Sequence, residues 1–237
     1  MAELRGICYS IGVGPGDPEL LTLKALRTME QCGVVAAPRT KGGHMLALDI
    51  AQQAMDLSDK EILPLSFPMT NDQKERKRAH AAAAGEIAAY LDRGEDVAML
   101  TLGDPSVYAT SSYVCRLLEE QGYRTETIAG VPSFCAASAA LSRELVQDGE
   151  PLIVIPASAG FADMERMLDL PGTKVIMNSG RQLPKVLELL RKKDLLSATS
   201  LAENVGLPGE RILREPDENS AGEAGYFVTL IVRGTGR

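Results

Sequence analysis

Two short segments carry the residues best suited to hold a small molecule. The first, Tyr9-Ser-Ile-Gly-Val-Gly-Pro-Gly-Asp-Pro-Glu19, places glycines at 12, 14 and 16. They let the backbone turn sharply and approach a ligand or another loop closely. Asp17 is a good helix N-cap and Pro18 a good first helical residue. A dinucleotide fingerprint, G-x-G-x-x-G, requires glycine at 17; Asp17 instead puts a carboxylate where a pyrophosphate would sit. The loop therefore reads as built for a ligand without phosphate. The second segment is Gly103-Asp-Pro-Ser106, which follows the apolar run that starts at Asp96. Gly103 permits close approach, and Asp104 offers an acceptor for a hydroxyl or an ammonium group. Each segment alone is also ordinary turn chemistry. Two of them, each leaving a hydrophobic strand, favour a ligand site at strand ends. The other chemistry-bearing residues are sparse. Cys8, Cys32, Cys115 and Cys135 form no CxxC pair, and His44 and His80 are the two histidines. No metal site is expected from such a set, only reduced and mostly buried thiols.

The elements that must position these loops alternate in type. Apolar runs predict strands at 6–11, 33–37, 96–101, 124–128, 152–155, 173–177, 198–202 and 226–232. Amphipathic patterns predict helices at 20–32, 45–55, 73–92, 107–121, 161–168 and 182–192. This alternation predicts an α/β protein of two α/β lobes with mostly parallel sheets and a ligand cleft between them. Residues 130–151, with GVPS, an Ala/Ser-rich stretch and the polar QDGEP, read as the junction, giving lobes at 1–129 and 130–237.

Bulk properties narrow the partner classes. The chain has 237 residues, 45% of them apolar, and a formal charge of −7, which disfavours a nucleic-acid backbone as the main partner. The N-terminal residues lack the apolar run of a signal peptide, and no apolar stretch approaches membrane-spanning length, so a soluble cytoplasmic protein is expected.

Four segments taken in order, GVGPGDPELLTLKA at 12–25, FPMT at 67–70, LTLGDPSVYAT at 100–110 and AGVPSFCAA at 129–137, resemble the tetrapyrrole (corrin/porphyrin) methylase family. FPMT and the Ser-Phe pair after the Gly-Val turn resemble the branch that methylates carbon 20 of precorrin-2 or of cobalt-factor II. The resemblance implies two α/β lobes, S-adenosylmethionine as cofactor, a tetrapyrrole substrate and a homodimer. It also implies cofactor contacts at Gly103, Asp104 and Val107, at Pro132 and Ser133, at Met177, at Asn204 and Val205, and at Thr229 and Leu230. Gly14, Pro15 and Gly16 are implied to border the substrate, with Asp17 as the side chain able to guide a departing proton besides capping its helix. Methylation of another corrin carbon, or of ribosomal RNA, is the alternative within the superfamily; the acidic, aromatic-poor composition disfavours RNA.

A substrate of that class carries several carboxylates and calls for cations. Arg39 and Lys41 leave the end of the second predicted strand and are the better candidates. The run Lys74, Arg76, Lys77 and Arg78 after FPMT reads first as a solvated helix face.

Overall fold

The computed structural model describes residues 5–70, 72–222 and 225–234. The chain divides into two compact units, one ending at Pro132 and the other beginning at Ser133.

The first unit is a five-stranded sheet built from β1 (Ile7–Gly12), β2 (Val34–Arg39), β3 (Glu61–Ser66), β4 (Val97–Thr101) and β5 (Arg124–Ile128), in the order β3-β2-β4-β1-β5. Every neighbouring pair is parallel. The crossovers are α1 (Leu23–Gln31), α2 (Leu46–Ala54), α3 (Gln73–Leu91) and α4 (Ser111–Glu120). Ala83, Ala84, Ile87 and Leu91 of α3 and Val114, Cys115 and Leu118 of α4 pack with Cys8, Val34, Val97 and Met99 of the sheet. Ala98 and Leu100, alternating with Val97 and Met99, are buried on the other face. Cover on both faces explains why VAMLT is apolar without alternation. α1 begins at Leu23, with Thr22 capping Ala25 N–H, because Asp17 and Pro18 open a separate 3-10 turn at Pro18–Leu20.

The second unit starts with α5 (Ser133–Ala140), a helix where the Ala/Ser-rich stretch read as a junction. Its sheet comprises β6 (Leu152–Pro156), β7 (Thr173–Met177), β8 (Thr199–Glu203), β9 (Arg211–Leu213) and β10 (Val228–Val232), ordered β6-β7-β10-β8-β9. Helices α6 (Phe161–Leu168) and α7 (Leu183–Lys192) cover one face around Ile155, Ile176, Leu201 and Leu230. Here the expectation of mostly parallel pairing needs correcting. Only β6–β7 is parallel, while β10–β7, β10–β8 and β8–β9 are antiparallel. β6, β7 and β8 are linked through helices and run one way. β9 follows β8 through a helix-free turn and reverses, and β10 returns to insert between β7 and β8. No described helix is long and apolar enough to cross a membrane.

β3 and β9 lay outside the predicted strands. Both are edge strands, and β3 carries Pro64, which an edge tolerates because the missing N–H leaves no inner ladder incomplete.

Candidate active site

In the first unit the two glycine loops meet directly. Gly14 N–H donates to Gly103 O at 3.3 Å and Gly103 N–H to Gly14 O at 2.8 Å, an isolated antiparallel bridge between the exits of β1 and β4. Both residues need glycine for another reason as well, with φ of 75° and 71°. The exit of β5 closes on the same point. A Cβ on Gly130 would lie 2.2 Å from Gly103 O, and one on Gly12 would lie 2.6 Å from it. Three parallel strands thus end in one knot of backbone.

Asp104 ties the knot. Its side chain is buried, at 8% exposure for the residue. Oδ1 accepts from Ser106 N–H at 2.8 Å and from the Ser106 hydroxyl, and Oδ2 accepts from Gly130 N–H at 2.9 Å. Burial, the largest influence on this carboxyl, pushes its pKa up. The hydrogen bonds from Ser106 and Gly130 outweigh it and hold the group below the usual aspartate value. The acceptor expected to serve a ligand is therefore largely engaged in holding the second loop to the third. Asp17 is engaged likewise: its Oδ1 accepts from Glu19 N–H at 2.8 Å, so the protein's own carboxylate fills the helix-start position that a phosphate would use. That arrangement fits a sulfonium cofactor without phosphate better than a dinucleotide. Ser111 adds a buried hydroxyl with no partner among the described residues, at the start of α4 just beyond the second loop.

The other residues singled out in this unit fall at the same strand ends. Pro15 and Gly16 continue the first loop, Val107 is half-buried in the second, and Pro132 closes the segment after β5. Arg39 is the last residue of β2, and Lys41 lies in the turn held by Thr40 N–H to His44 O. Both are exposed, and neither has an ion pair among the described residues. Lys74, Arg76, Lys77 and Arg78 are all exposed along the first turns of α3, which fits a solvated face.

In the second unit Ser133 opens α5. Met177 ends β7 and Asn204 follows β8; Asn178 and Asn204 both take left-handed backbone, with φ of 58° and 51°. Val205 is half-buried beside Asn204, whereas Thr229 is buried and Leu230 fully so, inside the apolar cluster beneath α6 and α7. The Leu230 side chain belongs to the core and offers a ligand no surface. Sequence reasoning missed the clip beside these residues. Glu203, 6% exposed, accepts from Gly225 N–H at 2.6 Å and from Arg211 at 2.8 and 3.0 Å, while Arg211 donates onward to Ser220 O at 2.9 Å. Gly225 passes so close that a Cβ on Gly180 would stand 1.5 Å from its carbonyl. No local pattern announces this clip, because its members are spread over residues 180–225.

A cavity of about 820 Å3 lies at the opposite ends of β6 and β7, lined among others by Lys174, Arg233, Glu144, Glu150 and Asp169. Its charges are of both signs, and burial pushes the Lys174 ammonium down. It is removed from the strand ends that carry Met177 and Asn204. Three of the four thiols are buried and Cys135 is exposed. Among the described residues no group of His, Cys, Asp and Glu is placed to hold a metal ion.

The fold is that of a class of methyltransferases. A solved structure of cobalt precorrin-4 methyltransferase superposes with a TM-score of 0.74, covering 95% of this chain and 94% of that one, at 22% identity. The model of the tetrapyrrole (corrin/porphyrin) methylases matches residues 8–219, and the chain belongs to that family. A protein of Methanocaldococcus jannaschii named as a probable cobalt-precorrin-2 C(20)-methyltransferase is 35% identical over 195 residues, 82% of this chain and 81% of its own length. A precorrin-2 C(20)-methyltransferase from Sinorhizobium is 30% identical over 97% of this chain and 96% of its own.

Proposed function

We propose that the protein transfers a methyl group from S-adenosylmethionine to carbon 20 of precorrin-2 or cobalt-factor II in cobalamin biosynthesis. The observation that carries this reading is the similarity, over most of both chains, to relatives named for that transfer. S-adenosylmethionine supplies a methyl group already activated on a sulfonium. The bridging carbon of a reduced tetrapyrrole is enamine-like and electron-rich, so the chain's task is chiefly to hold and align. Orientation of this kind supplies roughly 7–11 kcal/mol in favourable cases.

In this reading the joined loops at Gly14 and Gly103 form a rigid floor at the reacting centre. By the same resemblance, Val107 and Pro132 in the first unit, and Ser133, Met177, Asn204, Val205 and the backbone at Thr229 in the second, are each candidate cofactor contacts. Pro15, Gly16, Arg39 and Lys41 face the substrate, and the free oxygen of Asp17 takes up the proton released from the methylated carbon. A cytoplasmic homodimer follows from the same resemblance.

The test is incubation of the purified protein with S-adenosylmethionine and each tetrapyrrole in turn. The expected outcome is a mass gain of one methyl group, located at carbon 20 by NMR. A methyl group at another carbon moves the protein to a different branch of the family. No mass gain with either tetrapyrrole overturns the reading.

A further inference from the structure

Lys174 is a cation on an inner strand. It is the second residue of β7, with Ile153 of β6 on one side and Val232 of β10 on the other. Side chains alternate along a strand, so it shares the face of Ile176, which α6 and α7 cover. The residue is only 4% exposed. Its side chain makes no hydrogen bond or ion pair among the described residues. Glu150 and Asp169 attract it from a distance, but burial outweighs them and pushes the ammonium down. Both carboxylates are engaged elsewhere. Glu150 accepts from the Thr173 hydroxyl at 3.2 Å and from Gln147 N–H at 3.3 Å, and Asp169 accepts from Lys193 at 2.6 Å. A buried ammonium without a close acceptor is costly, and a ligand that brings one offsets the cost.

The cavity of about 820 Å3 at this end of the sheet has Lys174 in its wall, and its volume suits a small molecule. Backbone contacts fix its frame. Thr173 N–H donates to Pro151 O at 3.0 Å, and a Cβ on Gly172 would stand 2.2 Å from that oxygen. Arg233 donates to Glu144 O at 3.2 Å, tying the end of β10 to the loop before β6. The charges of the wall say which kind of molecule fits. Glu144, Asp148, Glu150 and Asp169 outnumber Lys174 and Arg233, which disfavours a ligand with several negative charges. Asp148 is exposed and forms no ion pair among the described residues, so a carboxylate at the mouth is available to a positive group. One negative group for Lys174 and one positive group for the acidic mouth define a zwitterion. We propose that this cavity binds a free amino acid, its carboxylate paired with Lys174 and its ammonium toward the acidic mouth around Asp148. The site lies within the second unit and does not rest on the methyl-transfer reading.

The experiment titrates wild type and Lys174→Met with each standard amino acid by calorimetry, with acetate and methylamine as probes that carry a single charge. At least one amino acid should bind the wild type, and acetate and methylamine should bind at least about tenfold more weakly. Lys174→Met removes the buried charge at similar volume, so it should melt no lower than the wild type. It should keep S-adenosylhomocysteine affinity and lose about ten- to a hundredfold in amino-acid affinity. Labelling of the wild type with acetic anhydride gives a reading that needs no variant. Lys174 should react at lower pH than the exposed lysines, and the amino acid that binds should protect it. The inference is overturned if no amino acid binds, if acetate binds as tightly, or if Lys174→Met binds unchanged. It is overturned too if the bound amino acid leaves Lys174 labelling unaltered. Displacement of that amino acid by S-adenosylhomocysteine would place it in the cofactor site and overturns the inference as well.

Discussion

At the scale of single residues, Asp104 is the side chain on which most depends, and its role is architectural. It holds Ser106, two positions along, and Gly130, 26 positions along. Replacing it by Asn puts an amide N–H against one of those donors, so the variant should lose about 1–3 kcal/mol, measured by denaturant titration near neutral pH. The pH dependence has a definite sign. The folded carboxyl titrates below its ordinary value, so in the window between the folded and unfolded values the unfolded chain binds more protons. The stabilisation is therefore complete above the ordinary aspartate pKa of about 3.9 and is lost as pH falls through the folded value. The difference between wild type and Asp104→Asn should shrink across that acid range. A difference that stays constant from neutral to strongly acidic pH would mean that the charge of Asp104 contributes nothing.

At the scale of elements, the glycines divide into those that space demands and those it does not. Gly130 has no room for a methyl group, whereas a Cβ on Gly85, exposed within α3, meets nothing within 4 Å. Gly130→Ala should destabilise by about 1–3 kcal/mol or more through overpacking. Gly85→Ala should stabilise by about 0.4–1 kcal/mol by restricting the unfolded chain and favouring the helix. Paired melting curves check both signs. This contrast also shows what was legible in the sequence. Strands such as 173–177 and helices such as 161–168 were readable to the residue, because buried apolar runs and helical periodicity are local signals. The loops at 12–17 and 103–106 were readable because glycine and capping residues announce turns. The hydrogen bonds joining those loops were not, since they link residues almost ninety positions apart. Nor were the direction of β10, set by strands encoded earlier, or the edge strands β3 and β9, whose burial is partial.

At the scale of the whole molecule, a chain of formal charge −7 is proposed to attract a polycarboxylate, so local cations must act against the overall field. Arg39 and Lys41, exposed at a strand end and without ion pairs among the described residues, suit that task. Arg39→Ala or Lys41→Ala should weaken tetrapyrrole binding about ten- to a hundredfold while leaving S-adenosylhomocysteine affinity unchanged. Lys77→Ala, on the solvated face of α3, should cost less than about fivefold. Substrate titration of the three variants decides it, and a large loss at Lys77 alone would move the substrate toward the segment after FPMT. The position of β10 has a further consequence, in the order of events during synthesis. The first sheet needs nothing beyond Ile128 to complete its strands, so it can assemble while the ribosome is still translating the remainder. The second sheet cannot do so. Its central strand is the last of the described elements to emerge, and until Val228–Val232 appears, β7 and β8 each present an unpaired inner edge. A nascent chain stalled before Val228 would therefore carry one finished unit and one with two sticky edges, which makes this the stage at which a chaperone has most to protect.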